Sequence, residues 1–276
     1  MDVQRISAFS DGDVGGNPAG VVLCAHALPP AADMQRVAAE VGYSETAFAA
    51  PDGDAWQVRY WSPAAEVPFC GHATIALGAA LARAHGDGTY ALKLSHAQIT
   101  VEGRREGPRY AAALQSPPTR SAAAAPAVVE EALALFGYAR GQLDARIPPA
   151  RIHGGGDHLV LALDSRAALA AMRYDFEAGR ALMRREGWIT ILLAWAESPT
   201  RFHARNAFAY GGVYEDPATG AATAAFAGYL RDLGWPHGGR IDVVQGEDMG
   251  ARSLLHADIG PEAGGSIRVS GTARDL

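Results

Sequence analysis

Apolar residues along the chain change their period in a recurring order. VQRISAF at residues 3–9 alternates as a short strand, SDGDVGGNPAG reads as a glycine-rich loop, and VVLCAHAL from Val21 is a second apolar strand. From Pro30 the spacing changes: AADMQRVAAEVGYSET puts Met34, Val37, Ala38 and Val41 on one helical face, and Gly42 supplies the stop. AFAAP and WQVRYWSP return to strand. EVPFCGHAT then leads into ATIALGAALARAHG, an Ala/Leu-rich helix ended by Gly86. TYALKLSH, QITVEG and RYAAALQ close this half as strands.

The second half repeats that order. After the Pro- and Ala-rich passage SPPTRSAAAAPAV, residues 116–128, which is the predicted linker, come a helix near VVEEALALFG, a GGGD turn and a strand HLVLALD. A helix DFEAGRALMRREG, a strand ITILLAWA and the segment EDPATGAAT running into AAFAGYLRDLG follow.

At an offset of 149 residues EVPFCGHATIALGAALA pairs with EDPATGAATAAFAGYLR: Glu66 with Glu215, Pro68 with Pro217, Gly71 with Gly220, Thr74 with Thr223, Leu81 with Leu230. Self-similarity of this kind marks an internal duplication. In each copy an acidic, proline-bearing turn passes through glycine into a helix, whose first N–H groups and dipole favour an anion. Two such helix starts would hold a carboxylate in a cleft between the halves, near the backbone of Gly71, His72, Gly220 and Ala221.

Composition narrows the partners. The 276 residues are 49% hydrophobic and 20% charged, within the range of ordinary globular chains. A net charge of -6 leaves no basic footprint for nucleic acid. The N-terminus lacks a signal-peptide pattern, and runs such as ITILLAWA are too short to span a bilayer, so no membrane partner and a cytoplasmic location are expected. Cys24 and Cys70 make no disulfide framework. No metal is expected: HExxH and CxxC are absent, His153 with His158 is the only close pair, and a calcium-loop reading from Asp11 fails because its twelfth position is Val22. GxSxG, P-loop and Rossmann fingerprints are missing as well. The single lysine, Lys93, sits inside a strand, a poor place for a pyridoxal Schiff base, so no cofactor is expected.

GNPAGVVL at residues 16–23, YSETAF at 43–48, VPFCGHAT at 67–74 and EDPATGAA at 215–222 together resemble the phenazine-biosynthesis isomerase-like family, relatives of diaminopimelate epimerase. That resemblance implies an α+β fold of two pseudo-symmetric domains, each a curved sheet around a central helix, with the site between them and usually a homodimer. The last strand, SIRVSGTA, would return to the first half, giving domains 1–115 with 264–276, and 116–263. It also implies a small carboxylate-bearing metabolite as substrate.

The epimerase relatives carry a cysteine at both helix starts. Here those positions are Cys70 and Thr219, and a threonine hydroxyl cannot take a thiol's proton-transfer role. In the isomerase-like branch the work resembles that of one glutamate in the SET motif, which maps onto Glu45, with Thr190 opposite it in the second half. Glu45 is expected on a cleft-facing strand flanked by Tyr43 and Phe48, a setting suited to a carboxyl that takes and returns a proton. By resemblance Glu45, His72 and Asp216 are the catalytic set, and Asn17, Ser44, Cys70, Gly71, Thr219, Gly220 and Ala221 bind substrate. Ala221 stands where the family commonly has serine, and FAYGG at residues 208–212 replaces a more usual proline-containing stretch. Two alternatives stay open: an epimerase using Cys70 with Glu45, and a family member that binds a metabolite without catalysis.

Overall fold

An alanine-rich helix runs against the sheet in each half of the chain, and small side chains allow it. The computed structural model describes residues 1–276. It divides into two compact units, Met1–Gln115 with Ser270–Leu276, and Ser116–Val269. No helix is long and apolar enough to cross a membrane.

The first unit runs β1 (Gln4–Ser10), β2 (Asn17–Leu23), α1 (Ala31–Val41), β3 (Thr46–Asp52), β4 (Ala55–Trp61), β5 (Glu66–Val67), α2 (Gly71–His85), β6 (Gly88–Lys93), β7 (Gln98–Glu106) and β8 (Arg109–Gln115). Every residue of α2 from His72 to Ala82 is buried, against β1, β2, β7 and β8. A Cβ on Gly103 of β7 would lie 2.2 Å from the Gly78 carbonyl oxygen of α2, so backbone rests on backbone and no larger residue fits. On the other face of β2 and β3, Val22 and Phe48 pack with Met34, Val37 and Ala38 of α1. Phe48 therefore belongs to the α1 face, and Glu45 lies just before β3 rather than on a strand.

The second unit runs β9 (Arg120–Ala123), α3 (Pro126–Phe136), β10 (Ala150–His153), β11 (Asp157–Leu163), α4 (Arg166–Ala170), α5 (Phe176–Glu186), β12 (Thr190–Ser198), β13 (Arg201–Ala207), β14 (Glu215–Asp216), α6 (Gly220–Asp232), β15 (Arg240–Gln245) and β16 (Ser253–Ile259). A last strand, β17 (Ile267–Asp275), ends beside β1, with Ile6 opposite Asp275 and Ser10 opposite Thr272. The passage expected as a linker is ordered: Arg120–Ala123 pairs with β10, and Pro126, preset for the first helical turn, opens α3. α6 is buried from Ala222 to Leu230 and packs on β9, β10, β11 and β16. Val129, Leu133 and Phe136 of α3 and Leu182 and Met183 of α5 cover the opposite face through Leu159, Leu161, Ile191 and Leu193.

Strand pairings repeat between the units. The antiparallel β1–β2, parallel β2–β3, antiparallel β3–β4 and β4–β5, parallel β4–β6 and antiparallel β6–β7 recur as β10–β11, β11–β12, β12–β13, β13–β14, β13–β15 and β15–β16, with the same senses in the same order. Gly71 and Gly220 each open the helix that follows the short strand. The fold is thus α+β, a sheet around a central helix built twice.

One ion pair is copied with it. Arg59 grips Glu66 through Nε and Nη2, the first at 2.6 Å. In the second unit Arg205 grips Glu215 the same way, at 3.0 and 2.5 Å. This explains why both copies of the duplicated segment begin with glutamate: each fixes the turn before its helix to the adjacent strand.

Candidate functional site

In the first unit the helix start and the segment after α1 bring four of the expected site residues together. α1 ends at Gly42, whose φ of 73° turns the chain out of the helix and into β3. The carbonyl of Glu45 then accepts the Gly20 N–H at 3.1 Å, which pins the residue before its side chain is considered. That side chain, 19% exposed, places Oε2 3.4 Å from Nε2 of His72, and Ser44 Oγ lies 3.3 Å from the same nitrogen. Sγ of Cys70 is 3.3 Å from Nδ1 of the same ring and 3.9 Å from Nε2. The His72 ring thus has a carboxylate and a hydroxyl near Nε2 and a thiol near Nδ1. Cys70 is the N-cap of α2, with its carbonyl accepting the N–H of Thr74 at 3.0 Å; the N–H groups of Gly71, His72 and Ala73 precede that first intrahelical donor. Asn17 is buried at the start of β2, opposite Ala8.

The second unit assembles Asp216, Thr219 and a residue that sequence reasoning missed. Thr219 Oγ1 donates to Asp216 Oδ2 at 2.5 Å. Gln245, fully buried at the end of β15, donates through Nε2 to the Asp216 carbonyl at 2.7 Å and to Thr219 Oγ1 at 3.0 Å, and its Oε1 accepts the Thr219 N–H at 3.2 Å. The Thr219 hydroxyl is therefore occupied as both donor and acceptor and orients the aspartate. Gly220 and Ala221, half-buried, open α6.

Residues 6–275 match the phenazine biosynthesis-like protein family, PhzC-PhzF. The chain belongs to that family. This family member is 32% identical over 258 residues to a trans-2,3-dihydro-3-hydroxyanthranilate isomerase of Pseudomonas fluorescens, covering 91% of this chain and 88% of that one. It is 30% identical over 230 residues to an uncharacterized isomerase of Pseudomonas aeruginosa, covering 83% and 81%. Among solved structures, a PhzF-family phenazine biosynthesis protein of Bacillus anthracis superposes with a TM-score of 0.85 at 21% identity over 100% of this chain and 98% of that one. A probable proline racemase of Agrobacterium radiobacter shares the fold with a TM-score of 0.64 at 10% identity, over 99% and 90%. The protein is an enzyme of the isomerase class.

Within this PhzF-family chain the register identifies the counterpart of Glu45. Thr46 lies opposite Trp61, and Trp61 opposite Glu66; Ile191 lies opposite Ala207, and Ala207 opposite Glu215. Thr190 thus occupies the position of Glu45, as the local alignment anticipates. Its hydroxyl donates to Asn206 Oδ1 at 2.9 Å, so it accepts from His158 Nδ1 at 2.8 Å, and all three residues are fully buried. The second unit holds a buried polar network, with His158 Nε2 and Asn206 Nδ2 left without partners, where the first holds an ionisable carboxyl.

Burial pushes the His158 imidazole down from 6.5 to about 3. Between those values the unfolded chain binds a proton at this residue that the folded chain does not, so stability is full above pH 6.5 and falls as the pH drops. We expect His158→Asn to flatten the pH dependence of urea stability in that window by about 1.4 kcal/mol per pH unit. An unchanged slope would mean that the imidazole is charged in the fold.

The last glycine of GNPAG also bears on the site. A Cβ on Gly20 would lie 2.6 Å from Thr46 Oγ1 and 2.9 Å from its Cγ2. Thr46 is fully buried and cannot retreat, and its hydroxyl has no hydrogen-bond partner. Gly20→Ala is expected to cost about 1–3 kcal/mol by overpacking, and adding Thr46→Ala should recover most of it. Equal urea midpoints for the single and double variants would refute the contact.

Proposed function

We propose that this protein is an isomerase that moves a proton on a small carboxylate-bearing substrate without a cofactor, with Glu45 taking the proton from carbon and returning it. The observation that carries this is the 3.4 Å approach of Glu45 Oε2 to His72 Nε2 at the start of α2, where a base, a ring able to hand on a proton and unpaired helix N–H groups meet. A substrate carboxylate suits the N–H groups of Gly71 and His72, and of Gly220 and Ala221, while Asp216, held by Thr219 and Gln245, orients the reacting group. Asn17 and Ser44 complete the binding set. Ala221 offers only its backbone, which favours a substrate other than that of the Pseudomonas fluorescens relative. Two cysteines that form no disulfide suit a reducing cytoplasm, and the family resemblance favours a homodimer.

A second reading has an observation of its own. Cys70 Sγ lies 3.3 Å from His72 Nδ1, so the same ring could deprotonate the thiol and make Cys70 the group that meets carbon.

Candidate carboxylates, including trans-2,3-dihydro-3-hydroxyanthranilate, can be followed by proton NMR in heavy water. Isomerisation, seen as one carbon-bound proton signal giving way to another at a new carbon, supports the assignment, and exchange without net isomerisation points to an epimerase. Line broadening with neither would identify a binding protein and refute the proposed activity.

A further inference from the structure

We propose that Glu45, Cys70 and His72 also form a site for a soft divalent cation, best matched by Zn²⁺. Carboxylate, thiolate and imidazole are the three donor classes that zinc takes from proteins. One donor atom from each residue lies within 4.8 Å of the others. Glu45 Oε2 is 3.4 Å from His72 Nε2, and Cys70 Sγ is 3.9 Å from that nitrogen. An ion bonded at about 2.0 Å to nitrogen and oxygen and about 2.3 Å to sulfur, at tetrahedral angles, sets its donors roughly 3.3–3.6 Å apart. The sulfur now lies nearer Nδ1, at 3.3 Å, so it must turn about the Cα–Cβ bond of Cys70 to reach an ion on Nε2.

Charge and rigidity point the same way. Thiolate and carboxylate together neutralise the ion, and a helix N-terminus favours the ionised thiol over the neutral one. All three ligands sit on fixed backbone: Cys70 caps α2, His72 lies in its first turn, and the Glu45 carbonyl is held by Gly20. Three protein ligands leave the fourth position for water or a substrate carboxylate. Magnesium and calcium, which need six or more oxygens, find one carboxylate here and are not expected to bind. A bound zinc ion would occupy the lone pair that Glu45 needs to accept a proton, so Zn²⁺ should act as a reversible inhibitor of the proposed proton transfer. Metal binding goes beyond that activity and does not depend on it, since an inactive protein with this geometry would still bind.

Cobalt provides the test, because a thiolate–Co²⁺ bond gives a near-ultraviolet charge-transfer band. Titrating the full-length metal-free protein with Co²⁺ should produce that band at one ion per chain, and Zn²⁺ should displace it while Mg²⁺ does not. Cys70→Ala should abolish the band, His72→Ala and Glu45→Gln should each weaken Zn²⁺ binding at least about 100-fold, and Cys24→Ala should change nothing. Calorimetry of the unmodified protein in two buffers near pH 7 should show about one proton released per Zn²⁺, from the thiol. Absence of the band, its persistence in Cys70→Ala, its loss in Cys24→Ala, or Zn²⁺ binding without proton release would each overturn the site, whether or not isomerase activity is found.

Discussion

Glu45→Gln is expected to lower turnover at least about 100-fold while leaving carboxylate binding nearly intact. Glutamine keeps the size of the side chain and its approach to His72, 3.4 Å in the native protein, but it cannot accept a proton. Positioned acid–base groups contribute about 10²–10⁴-fold, so the lower bound is the modest end of that range. The effect should fall on kcat and on kcat/KM together, because the base is used only as the proton leaves carbon. Cys70→Ala should cost much less, since the proposed reaction gives the proton on carbon to Glu45 and not to the thiol. The reverse order, an inactive Cys70→Ala and an active Glu45→Gln, would move the chain to the thiol epimerases.

Glu215→Gln is expected to destabilise the second unit by about 3–5 kcal/mol in urea melts, although Glu215 lies outside the candidate set. The side chains of Arg205 and Glu215 are 9% and 4% exposed, and losing the carboxylate leaves a guanidinium charge in the interior. Arg205 also donates to the carbonyls of Ala170 and Met172, at 3.0 and 3.3 Å, so it cannot swing to solvent without releasing them. The duplicated pair supplies an internal control: Arg59 and Glu66 are each 30% exposed, and Glu66→Gln should cost about 1 kcal/mol or less. Similar losses at both positions would show that burial is not what distinguishes the copies.

The two central helices were legible because each is announced by a turn, a glycine and a run of small apolar residues, a pattern written at Glu66 and again at Glu215. Glu45 was legible through its motif, and its Thr190 counterpart through the glycine stop that precedes each, Gly42 and Gly187, both left-handed. The Arg59 and Arg205 equivalence was not. Trp61 and Ala207 correspond at an offset of 146 residues, whereas Glu66 and Glu215 correspond at 149, because the connection after β13 is longer than that after β4. A single offset therefore loses the strand while keeping the helix. RFHARNA, which becomes β13, is polar for an interior strand, and the partners of its buried Arg205 and Asn206 are Glu215 and Thr190, on other strands. Gln245 left only a faint signal, one polar residue closing the apolar run IDVV, and its role depends on a turn 26 residues earlier. Glu45 is expected on a strand but lies one residue before β3, and Phe48 packs against α1.

The most direct test of a single carboxyl that takes and returns the proton is label transfer. A substrate deuterated at the carbon that loses its proton would be turned over once in ordinary water with excess enzyme, and the product analysed by mass spectrometry. Glu45, 19% exposed and carrying one proton between its two tasks, should return a substantial fraction of the deuterium to the product's new carbon–hydrogen bond. Complete loss of the label to water in that first turnover would contradict the account, because separate groups would then be removing and supplying the proton.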